Sequence, residues 1–243
     1  MRAHPALLLL VVVPTAACAH VVDSPRPPDW IPLIEAILVA GSDVSRFRLR
    51  WLDPADHEVR SPILPEDVHL DLRAADGARA TWEPDPDSSG MYLAALPITA
   101  QGRYQLGGTI DGGSITAVTR VPGPLDIEQP AGDTLFVSAD PGAAGSPQSG
   151  RIVVRWRADG ATVLALDSAA VRFGARFTHA GEADLGVRQS AAGQRTGPTI
   201  RFVAMNRDGD RYHFTPGGPE TNIAGGFGVF GGAAESRRSV VWR

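Results

Sequence analysis

The chain has 243 residues, with 23 Lys and Arg against 27 Asp and Glu, and 43% of its residues are hydrophobic. Every basic residue is arginine and none forms a block; that mildly acidic balance argues against a nucleic-acid partner. Cys18 is the only cysteine, which excludes a disulfide within the chain and leaves stability to packed apolar faces.

The start has the three parts of a secretory signal. Arg2 supplies positive charge, Ala6 to Val13 is an apolar run broken by Pro14, and Thr15, Ala16 and Ala17 are small. The run is far shorter than the ~20 residues that span a bilayer, and no later run reaches that length. Small residues directly before a lone cysteine resemble the lipobox of bacterial lipoproteins. The resemblance implies removal of residues 1–17, lipid on the Cys18 sulfur and an acylated amino group. It also implies delivery to the outer membrane, since Ala19 follows the cysteine. Several acyl chains anchor stably, because each buried CH₂ contributes ~0.8 kcal/mol. The alternative reading of the same residues is ordinary secretion, with cleavage after Ala17 and a free thiol.

Residues 18–30 then read as the lipidated cysteine and a tether, in which Pro25, Pro27 and Pro28 favour extended backbone. From Ile31 short strand-forming runs alternate with Gly, Pro and Asp clusters. Leu33 to Val39, Phe47 to Trp51 and Val68 to Leu72 read as strands; the last two alternate apolar and polar residues, the mark of one buried face. Asp76-Gly77 suits a tight hairpin into Ala80 to Glu83. Met91 to Leu96 and Tyr104 to Ile110 follow, and Asp111-Gly112 turns the chain into Ser114 to Val121. About seven strands in residues 31–124 match an immunoglobulin-like sandwich.

Residues 125–132 read as a linker, and residues 133–243 as a second sandwich of fibronectin type III-like character. Its strands are Leu135 to Ser138, Ile152 to Trp156, Val163 to Leu166, Val171 to Phe177 and Ile200 to Met205. Then come Tyr212 to Phe214, Thr221 to Gly232 and Ser239 to Trp242. Asp159-Gly160 and Asp208-Gly209 read as further hairpin turns, while Ala183 to Pro198 is poorly patterned. The expected fold is all-β, two tandem sandwiches of antiparallel meanders.

The stretch Thr221-Asn222-Ile223-Ala224-Gly225-Gly226-Phe227-Gly228-Val229-Phe230-Gly231-Gly232 resembles the carboxy-terminal motif of an uncharacterised family of bacterial lipoproteins. Ile34-Glu35-Ala36, Tyr104 and Val203 to Asn206 add to the likeness. It implies a lipobox, an Ig-like domain and a second β-domain, often encoded beside TonB-dependent outer-membrane receptors, and it assigns no chemistry. Physically, the glycines allow close backbone approach or positive φ, and Asn222 can hold a turn through its side chain. Phe227 and Phe230, three apart, fall on opposite faces of a flat strand unless a bulge intervenes.

Asn222, Phe227, Phe230 and Trp82 are the candidate partner-binding residues, the alternative for the tail being a closing strand that packs. No cofactor or metal site is legible. Asn206 to Asp210 spaces oxygen side chains as calcium loops do, but no Glu stands at the twelfth position. Asp85 to Gly90 is made of ordinary turn formers, and His57, His69, His179 and His213 are dispersed. No Gly-x-Ser-x-Gly elbow occurs, and Asp53, Glu58, Asp71 and Glu83 would have to converge from different strands to cleave a glycoside. The expected role is therefore a non-catalytic, lipid-anchored binding or accessory module of an envelope complex, partnered by an outer-membrane receptor or another envelope protein. The alternatives are a carbohydrate-binding surface protein and a cryptic envelope hydrolase.

Overall fold

Alternating burial along the strands decides which side chains meet. The computed structural model describes residues 30–242, apart from 57, 64, 130, 138–148, 161, 168–172, 178–180, 189–195 and 217. Cys18, the signal-like segment and the tether as far as Asp29 lie outside the described residues. No described helix is long and apolar enough to cross a membrane.

The first half runs through β1 (Ile31–Val39), β2 (Val44–Leu52), β3 (Val59–Pro62), β4 (Val68–Ala74), β5 (Arg79–Thr81), β6 (Glu83–Pro84), β7 (Met91–Ala95), β8 (Arg103–Ile110) and β9 (Gly113–Arg120). The second half has β10 (Asp126–Gln129), β11 (Thr134–Val137), β12 (Ser149–Arg157), β13 (Thr162–Asp167), β14 (Phe173–Phe177), β15 (Glu182–Arg188) and β16 (Thr196–Met205). Helix α1 (Arg207–Phe214), β17 (Ile223–Ala224) and β18 (Phe227–Trp242) complete it. The fold is all-β, built of packed sheets.

One sheet of ten strands runs in the order β14-β13-β16-β18-β1-β2-β7-β6, with β11 also on β18 and β3 on β2. Two smaller sheets, β17-β9-β8-β4-β5 and β10-β12-β15, pack against it. Successive side chains of a strand point to opposite faces, and the core follows that period. Ile34, Leu38, Leu49 and Phe230 of the large sheet bury against Leu70, Leu72, Leu106 and Ile115. Further along the same face, Phe202, Ala204, Ala234 and Val240 meet Ile152, Val154 and Trp156. Ala40 packs against both clusters. The opposite face gathers Val203, Met205 and Ala233 with Ile37, Val39 and Phe214 beneath α1.

β18 is the spine of the large sheet. Its first half pairs parallel with β1, its last residues pair parallel with β11, and its other edge pairs antiparallel with β16. The tail strands, expected within the second sandwich, therefore reach into the first: Ile223 pairs with Ala117 of β9, and Phe227 lies opposite Leu33. The stretch read as two strands, Thr221 to Gly232 and Ser239 to Trp242, contains the short β17 and the single long β18.

Other local expectations change as well. The linker contains β10, which pairs with β12, and the poorly patterned stretch contains most of β15. Asp76-Gly77 and Asp111-Gly112 do close hairpins, with Asp111 and Gly112 both at positive φ. Asp159-Gly160 does not. β12 belongs to a small sheet and β13 to the large one, so this turn carries the chain between layers. Asp208-Gly209 is no hairpin either, because both residues lie in the first turn of α1. Near the start of β8, the Tyr104 hydroxyl accepts the Thr99 N–H at 2.8 Å and donates to the Pro97 carbonyl at 3.2 Å. Such a bond ties a strand to the backbone just upstream, as in the tyrosine corners of Greek-key sandwiches.

Candidate functional site: an apolar groove at the glycine-rich strand

The glycine-rich tail has the conformation its neighbours require. Gly228 has φ +115°, and a Cβ there would lie 1.9 Å from the Ile34 carbonyl oxygen, so an L side chain is excluded on two counts. At Gly231 a Cβ would stand 2.8 Å from Ile37 Cδ1 and 3.3 Å from the Gly209 amide, and its absence lets α1 sit close on β18.

Asn222 completes the strand edge. β16 pairs with β18 only as far as Ala233, opposite Met205. Beyond that point the Asn222 side chain takes a neighbouring strand's place: Oδ1 accepts the Phe230 N–H at 2.9 Å and Nδ2 donates to the Phe230 carbonyl at 2.8 Å. The β1–β18 register runs without a shift from Leu33 opposite Phe227 to Val39 opposite Ala233. No bulge reconciles the two phenylalanines. Phe230 enters the core, fully buried, and Phe227 points to the other face, half-buried.

On that face Phe227 lines a groove of about 660 Å³ with Leu33, Leu52, Val59, Tyr212 and Pro219. Strand pairing brings these residues together, since Ile31 stands opposite Leu52 and Leu33 opposite Phe227. The Tyr212 and Phe227 ring centroids are 6.2 Å apart. Arg50 donates from Nη2 to Glu35 Oε2 at 2.9 Å on the same side of the sheet. Burial, followed by the Glu35 carboxylate, pushes the Tyr212 hydroxyl up to about 12. The phenol is a hydrogen-bond donor here, and the Glu35 carboxylate is its acceptor. The arrangement suits an apolar side chain with a polar group beside it.

The four candidate residues separate on inspection. Trp82 is 2% exposed and meets Phe47 edge-on with centroids 4.6 Å apart, so it has no free face for a ligand. Phe230 is wholly buried, and the Asn222 amide is committed to backbone. These three side chains pack within the molecule, the closing-strand alternative for the two in the tail. Phe227 alone of the four lines the groove. Leu33, Leu52 and Tyr212 were not singled out by the sequence. Tyr212 falls in an expected strand because Asp208-Gly209 reads as a turn. The signal that finds it is Asn206 as a helix cap, with Asp208 and Asp210 in the first turn and Arg211 and His213 in the last.

The acidic candidates are occupied locally. Asp208 Oδ2 accepts from Thr119 Oγ1 at 3.0 Å and from Asn206 Nδ2 at 3.1 Å. Asp71, paired with Arg79, lies in a small sheet, whereas Glu83 lies in the large one. Asp85 accepts the Asp87 N–H within its own turn. His69 faces solvent in β4, and His213 lies in α1 rather than in the strand expected for it. Among the described residues no three His, Cys, Asp or Glu side chains are grouped as metal ligands would be. A second cleft, between Arg120, Asp159 and the first turn of α1, mixes charges of both signs.

Fold and groove together define an all-β sandwich protein with an apolar surface groove beside a glycine-rich spine strand. No known protein family matches the chain, and no curated protein does.

Proposed function

We propose that this protein is a lipid-anchored envelope protein, held to the outer membrane through Cys18, that serves as a non-catalytic binding or accessory module. The groove around Phe227 is its contact site, and the partner is an outer-membrane receptor or another envelope protein. The observation that carries this reading is the use of the tail: its glycines and Asn222 hold Phe227 at a groove rim while Phe230 stays in the core. Support for the anchor comes from the Thr15-Ala16-Ala17-Cys18 sequence and the proline-rich segment after it. Within this reading the first sandwich is Ig-like, supported by the Tyr104 corner, and the second is fibronectin type III-like.

The test is affinity capture of the tagged protein from detergent-solubilised membranes, beside Cys18→Ala and Phe227→Ser controls. Capture of one β-barrel receptor near one-to-one, lost with Phe227→Ser, is the expected result. Equal recovery with both controls, or no specific recovery at all, overturns the accessory role. Incorporation of radiolabelled palmitate into the wild type but not into Cys18→Ala checks the anchor on its own.

A further inference from the structure

β1 is the strand by which the tether enters the fold, and it does not lie at a sheet edge. It is held between β18, parallel to it, and β2, antiparallel to it. We propose that the β1–β18 pair is a mechanical clamp, which carries a pull on the amino-terminal tether as shear into the carboxy-terminal spine.

Direction makes the argument. In a parallel pair, a pull on the start of one strand and the end of the other slides the two strands past each other. All the hydrogen bonds between them then bear load together. A pull that separates adjacent strand ends loads one bond at a time. Here seven register pairs join β1 to β18, from Leu33–Phe227 to Val39–Ala233. The Ala40 amide extends the contact by donating to the Ala233 carbonyl at 2.9 Å. Six further pairs join β1 to β2.

The ladder is shielded as well. Ile34, Leu38 and Phe230 are wholly buried on its core side, and on the other Ile37 and Val39, partly buried, pack into one cluster with Ala233 and Phe214 of α1. Water must reach the strained bonds to replace them, and a dry, low-dielectric setting strengthens each bond meanwhile. Close backbone approach at Gly228 keeps the two strands in contact. β18 passes the load on, because its other edge pairs with β16 along Ala233 to Val241. Such a load arises when the tether is pulled while the carboxy-terminal half of β18 is held; a partner in the Phe227 groove grips the other end of the ladder, beside the tether's entry, and does not supply it. The clamp rests on the anchor reading only for the source of that pull.

Single-molecule extension tests the clamp in the Cys18→Ala chain, with two handle pairs in otherwise identical molecules. Handles at Asp29→Cys and Arg243→Cys load the β1–β18 pair in shear. Handles at Asp29→Cys and Pro54→Cys separate the adjacent ends of β1 and β2 instead. Circular dichroism first establishes that both variants are folded. Forced unfolding reports the unfolding barrier, and the expected result is a rupture force roughly twofold higher or more with the first pair. Equal or lower force with the first pair, or its stepwise yielding at low force, overturns the proposal. Palmitate labelling is independent of this experiment, so a weak clamp in a protein that does carry lipid would sink the clamp and leave the anchor standing.

Discussion

Asn222 shows how one side chain replaces a strand. Its amide presents a donor and an acceptor at the spacing of a backbone neighbour, and both are used by Phe230. Asn222→Ala leaves the Phe230 N–H and carbonyl without those partners in a largely buried setting. A stranded buried polar group costs ~1–3 kcal/mol, so the variant is expected to lose about 2 kcal/mol or more of unfolding free energy. A urea denaturation curve measures this, and an unchanged midpoint would contradict the role. Phe230 and Phe227 make the same point about faces. Three residues apart on an unbroken strand, one completes the core and the other is left to the groove.

At the scale of elements, the Asp-Gly pairs are instructive. Four of them read alike in the sequence, and the structure uses them in three ways: hairpins at Asp76-Gly77 and Asp111-Gly112, a passage between sheets at Asp159-Gly160, and the first turn of a helix at Asp208-Gly209. The helix prevails at the last site because Asn206 caps it. Asn206 Oδ1 accepts the Gly209 N–H at 3.0 Å, and Nδ2 donates to Thr119 Oγ1 at 2.7 Å and to the Arg120 carbonyl at 3.0 Å. Gly209 then fits against Met205 and close to Gly231. Loss of a capping side chain costs ~1 kcal/mol, and Asn206→Ala also removes the bonds to Thr119 and Arg120 of β9. The expected loss is therefore above that value, with Asn206→Asp keeping the capping part of it. Denaturant unfolding of the two variants checks this, and equal stability of wild type and Asn206→Ala would refute it.

At the scale of the molecule, β18 ties the halves together. The first half depends on residues more than a hundred positions away, since β1 lacks its parallel neighbour without Phe227 to Ala233, and the first core lacks Ile223 and Phe230. A fragment of residues 30–124 is accordingly expected not to fold cooperatively, although by sequence it reads as a complete Ig-like domain. The amide proton spectrum of the fragment decides the matter: poor dispersion is expected, and a well-dispersed spectrum would show that the spine is dispensable to the first half.

The amino-acid sequence by itself determined the all-β character and most strand positions, because alternation of apolar and polar residues is a local property that one buried face imposes. It also marked the tail, whose glycines have no local use. Which strands pair was decided only in the tertiary structure. Alternation reads the same whether the next strand lies beside its predecessor or in the facing sheet, and so β12 and β13 looked like a hairpin. The groove was hidden for the same reason. Phe227, Leu33, Leu52 and Tyr212 come from four separate elements, and only the pairing of β1 with both β2 and β18, with α1 laid over that face, brings them to one place.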